Sequence, residues 1–74
     1  MDKKQFYKSL GAVLKKIRRD MGISQEKVGE MCDVSFQQIQ KYESGLNAIP
    51  LYKLIQICDY ANVRVEAVLK EVVA

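Results

Sequence analysis

Apolar residues recur at three- and four-residue steps along most of the chain, and no stretch alternates with the two-residue period of a strand. Phe6, Leu10, Val13, Leu14, Ile17 and Met21 form one stripe with lysines opposite, which predicts a long amphipathic helix closed at Gly22. Ser24 is a good N-cap for a second helix, with Val28 and Cys32 inward, and Asp33-Val34 interrupts it after barely two turns. Ser35 opens a third helix. With Gln38 three residues on it has the form of a capping box, and Val34 stands where a hydrophobic staple begins. Ile39 and Tyr42 are its inward residues, and Gly45 ends it. After the loop Leu46–Ile49, Pro50 suits the first position of a fourth helix, whose stripe is Leu51, Leu54, Ile55, Cys58 and Ala61. Asn62 is the expected stop, and Val65, Val68, Leu69 and Val72 mark a short fifth helix. The expectation is an all-α, five-helix fold forming a single domain over residues 1–74.

Composition narrows the function classes. Seventy-four residues suffice for one small core, since a chain of this size buries about 60% of its unfolded surface. No apolar run approaches the ~20 residues of a membrane span, so we expect a cytoplasmic protein. Cys32 and Cys58 are the only cysteines and histidine is absent, which excludes a four-ligand zinc site and leaves the thiols as buried, reduced fillers. With no histidine, no glycine-rich phosphate loop and no carboxylate cluster on one face, no active site is in view. The expectation is a non-enzyme without cofactor or metal. The net charge of +3 hides an asymmetry. Residues 1–19 hold seven basic residues against Asp2 alone, while residues 20–74 hold five basic and eight acidic ones. That polarity suits a polyanion meeting one side of the domain, or a solvated helix face.

The third helix carries the most unusual local composition. VSFQQIQKYESG, residues 34–45, has three glutamines in its first seven residues and no carboxylate until its tenth. Two short helices joined by a tight turn behind a long basic helix describe a helix-turn-helix over residues 24–44. The run ISQEKVGEMCDVSFQQIQKYESG resembles the phage-repressor-like (Xre, lambda-repressor-like) helix-turn-helix family. Gly22, Ile23, Ser24, Gln25, Val28, Gly29, Val34, Ser35, Ile39, Tyr42, Glu43 and Gly45 match its pattern, and the likeness covers about residues 9–69.

The resemblance implies a sequence-specific regulator of double-stranded DNA whose helix 35–44 enters the major groove. A glutamine amide can donate to adenine N7 and accept from the adenine N6 amino group together, and a carboxylate there would repel phosphate. The base-contacting residues implied are Ser35, Phe36, Gln37, Gln40 and Lys41, with Phe36 either against a thymine methyl or folded onto a neighbour. Gln38 belongs instead to the cap or the backbone. Phosphate contacts fall to Gln25, Arg18, Lys16 and Asn47, and Arg18 with Glu43 forms a structural ion pair. Departures from the pattern are Asp33 at a turn position usually glycine, Leu46 and Ala48 in a loop that commonly carries basic side chains, and Arg64 where a small polar N-cap is usual. Such domains read near-palindromic operators as dimers, so a homodimer is expected through residues 63–74, using Val63, Val65 and Val73. RNA polymerase, or a toxin if the fold serves as an antitoxin or other protein-binding module, are the further partners the family implies.

Overall fold

A computed structural model describing residues 1–74 contains five helices and no strand: α1 (Lys3–Met21), α2 (Gln25–Cys32), α3 (Phe36–Ser44), α4 (Leu51–Ala61) and α5 (Val65–Val73). Local chemistry sets the helix ends. The side chains of Asp2, Ser24 and Ser35 accept the backbone N–H groups of Gln5, Lys27 and Gln38 at 2.8, 3.1 and 3.1 Å. Gly22, Asp33, Gly45 and Asn62 close α1 to α4 in the left-handed conformation. Asp33 does so at φ 57° without being glycine, as aspartate can at modest cost. Lys53 reaches from α4 to the Cys32 carbonyl at 2.6 Å, setting a cation against the negative end of α2. Arg64 precedes α5 with no side-chain cap, as its size suggests.

One buried cluster collects side chains from every helix. Leu10, Leu14 and Ile17 of α1 meet Val28 and Cys32 of α2, Ile39 and Tyr42 of α3, Leu54, Ile57 and Cys58 of α4, and Val68 and Val72 of α5. The main packings are α1 with α3 and α5, and α2 with α3 and α4. Gly29 permits the turn between α2 and α3, because a Cβ there would lie 2.5 Å from the Val34 carbonyl oxygen. Gly11 does the same where α1 crosses the end of α3, where a Cβ would meet the carbonyls of Tyr42 and Glu43. No helix is long and apolar enough to cross a membrane.

Four local expectations need correction. Pro50 is the N-cap of α4 rather than its first helical residue. Leu51 and Ile55 face outward at 63% and 37% exposure, and Ile57 takes the inward place. Ile49, assigned to a loop, is buried and anchors the segment between α3 and α4 in the core. The capping box at Ser35 is half made: Ser35 accepts from the Gln38 N–H, but the Gln38 amide turns away to donate to Asn47 Oδ1 at 3.1 Å. The reciprocal box forms instead at Asp2 and Gln5.

Candidate nucleic-acid interface

α3 buries Ile39 and Tyr42 and turns its opposite face to solvent. Gln37, Gln40 and Lys41 stand exposed there, and their side chains make no hydrogen bond or ion pair within the protein. Ser44 continues the same face one turn on from Gln40, its hydroxyl donating to the Lys41 carbonyl at 3.1 Å. Sequence reasoning passed over Ser44, although its spacing from Gln37 and Gln40 places it on their side of a helix. Phe36 is 41% exposed and lines a shallow concavity with Lys15, Arg19, Gln25, Glu26 and Gln40. Ser35 uses its oxygen as the cap, leaving its hydroxyl hydrogen free to donate.

The outward face of α3 carries no acid because Glu43, the helix's only carboxylate, points inward. Arg18 Nε donates to Glu43 Oε2 at 2.7 Å and Nη2 to Oε1 at 3.2 Å, while Gln25 Nε2 donates to Oε1 at 3.1 Å. The Glu43 side chain is 6% exposed and that of Arg18 14%, so this bidentate pair is well shielded from water. The Glu43 hydrogen bond raises the arginine's proton affinity above the usual value, outweighing burial, which acts the other way. Arg18 Nη1 also donates to the Ile23 carbonyl at 3.0 Å. Three of the five guanidinium N–H donors therefore serve the fold, and one hydrogen on Nη1 and one on Nη2 are left over.

Lys16 faces α5, 3.3 Å from Glu71, on the other side of α1 from the α3 face, so it is not positioned beside the candidate interface. Lys15, Arg18 and Arg19 are the basic residues of α1 that border it, and of these Lys15 and Arg19 are in no ion pair. Asn47 sits next to the end of α3, but its oxygen accepts from Gln38 and its Nδ2 donates to the Leu46 carbonyl at 3.0 Å. Of the residues expected at a dimer contact, Val63 and Val65 pack against the core, while Val73 is 63% exposed.

The family profile described as helix-turn-helix matches residues 14–68, from mid-α1 into α5. The chain belongs to the phage-repressor-like helix-turn-helix family. Relatives of this helix-turn-helix chain include an uncharacterized HTH-type transcriptional regulator of Sinorhizobium medicae, 49% identical over 51 residues that span 68% of this chain and 37% of that protein. A similarly named regulator of Rickettsia conorii is 34% identical over 50 residues, 68% of this chain and 40% of that protein. The chain thus spans about two-fifths of the length of these relatives. Among solved structures, the clp gene regulator ClgR from Corynebacterium glutamicum superposes with a TM-score of 0.85 at 26% identity, covering 92% of this chain and 72% of that one. In helix-turn-helix terms, α2 and α3 are the motif, and α3 occupies the place of the recognition helix.

Proposed function

We propose that the protein is a sequence-specific regulator that inserts α3 into the major groove of double-stranded DNA and acts by occupying an operator. The observation carrying this is the outward face of α3: amides and an ammonium without internal partners, no carboxylate, and Lys15 and Arg19 alongside. Gln37 and Gln40 read base edges, Lys41 reaches a guanine or a phosphate, and Ser35, Phe36 and Ser44 complete the contact surface. Gln25, with its second amide hydrogen, and Lys15 and Arg19 hold one phosphate strand, and Asn47 lies beside the other. Two copies bound to a near-palindromic site place two α3 helices about 34 Å apart. Blocking polymerase is the simplest regulatory consequence, and contact with polymerase is the route to activation. The work is done in the cytoplasm.

Selection of bound sites from random duplexes tests the assignment. Gln37→Ala should relax preference at one position of the selected site, whereas Lys15→Ala with Arg19→Ala should weaken all duplexes alike. If neither change alters binding, the interface is elsewhere. Leu51, Tyr52, Ile55 and Tyr60 of α4, all exposed, favour a protein-binding module as the second reading. Affinity for duplex DNA that stays flat from 50 to 200 mM salt would support that alternative, because counterion release requires a steep fall.

A further inference from the structure

A second basic surface lies at the far end of α3. Gly45 rests on the backbone of Lys8, which fixes the end of α3 against the first half of α1. The loop leaving α3 consequently runs beside the first turns of α1, and Lys3, Lys4, Tyr7, Gly45, Leu46, Asn47 and Ala48 line an open concavity there. Lys3 and Lys4 are exposed and in no ion pair, and no carboxylate lines the hollow; the adjacent Asp2 accepts from the Gln5 N–H. The N–H groups of Leu46 and Asn47 both turn back to the Lys41 carbonyl, but that of Ala48 has no partner in the protein. The loop itself, Leu46–Ile49, contributes no cation.

We propose that Lys3 and Lys4, with the Ala48 N–H, form a second cradle for the phosphate backbone, supplying the charge that the loop after α3 lacks. α3 is nine residues, roughly 13 Å long. The major groove it enters is about 12 Å wide, with a phosphate strand on each side. Lys15, Arg19 and Gln25 border the part of α3 that carries Phe36 and Gln40, and the Lys3–Lys4 hollow borders its other end. The two groups therefore meet opposite strands, and the cradle extends the footprint toward base pairs that α3 does not touch. Contacts of this kind fix position and add affinity without reading sequence.

The cradle rests on the DNA-binding reading, and the test separates the two. The probe is a duplex recovered by selection from a random pool, bound by the wild-type chain and by Lys3→Ala/Lys4→Ala. Each phosphate contact contributes about 0.9 to the slope of log affinity against log salt, so the variant's slope should be shallower by about 1.8. Between 50 and 200 mM salt the wild type should lose about ten-fold more affinity than the variant. Base preferences in the selected site and the melting temperature should not move, since both lysines are exposed and unpaired. Trimming the duplex one pair at a time should weaken the wild type at a flank length to which the variant is indifferent. Equal slopes and equal sensitivity to trimming overturn the cradle while leaving α3 as the reader. A wild-type chain that binds no duplex overturns both.

Discussion

At Glu43 one carboxylate accepts from Arg18 on α1 and from Gln25 on α2, while its own backbone belongs to α3. Hydrogen bonds to charged groups are worth about 1.5–3 kcal/mol, whereas an exposed pair contributes about 0–1. The shielding of this pair puts it in the first class. Arg18→Met should therefore lower stability by about 1.5–3 kcal/mol in urea unfolding and weaken DNA binding with it; an unchanged midpoint and affinity would discard the role. The two thiols make a second prediction at this scale. Burial pushes the Cys32 and Cys58 thiols above their ordinary range, with Lys53 pulling Cys32 part of the way back. A thiol that ionises more readily in the unfolded chain than in the fold contributes stability below about pH 8.5, and that stability is lost as pH rises further. The melting temperature should fall between pH 8 and 9.5, more steeply than in Cys32→Ala/Cys58→Ala, and iodoacetamide should modify the native thiols no faster than the protein opens.

Among the helices, Gly11 carries the sharpest consequence. Alanine would favour the helix by about 1 kcal/mol through propensity alone. Its Cβ, however, would sit 2.5 Å from the Glu43 carbonyl oxygen and closer still to that of Tyr42, both backbone atoms that cannot swing aside. Overpacking costs about 1–3 kcal/mol, so Gly11→Ala should be destabilising on balance, by about 1–2 kcal/mol in chemical denaturation; a stabilised variant would mean that α1 and α3 separate freely. This contact was illegible beforehand, because a mid-helix glycine looks like a small local cost until its tertiary neighbour is known. The helices themselves were legible: Ser24, Ser35, Gly22, Gly45 and Asn62 mark ends by local chemistry that needs no partner. So was the polar face of α3, since Ile39 and Tyr42 determine which side is left over. The register of α4 was not, because its apolar residues cover more than one face and only packing against α1 and α2 selects Ile57 over Leu51. Lys15 and Lys16 show the same limit. Periodicity separates inward from outward, but only the third dimension sends one toward α3 and the other toward Glu71.

For the molecule as a whole, the proposed dimer shifts to what the core leaves over. With Val63 and Val65 partly buried against the core, Leu69 and Val73 of α5 are the most exposed large apolar residues offered to a second copy in that region. Leu69→Asp/Val73→Asp should hold the chain monomeric in sedimentation and weaken a palindromic duplex far more than a single half-site; retention of a dimer would place the contact elsewhere, with Leu51 and Ile55 of α4 the next surface to alter. In the proposed DNA-binding role the charge distribution also acts at this scale, since the basic groups of α1 flank α3 at both ends and would draw in a duplex before any base is touched.

The carboxylate shared by three helices also bears on kinetics. If α3 is the reading helix proposed above, it is already clamped in place and would meet its groove as a finished surface, so association should proceed in a single diffusive step with no ordering phase. The speed of encounter is then set by long-range attraction and falls as electrolyte is added. Loosening the clamp should be felt mainly afterwards, as a shorter dwell time on the operator.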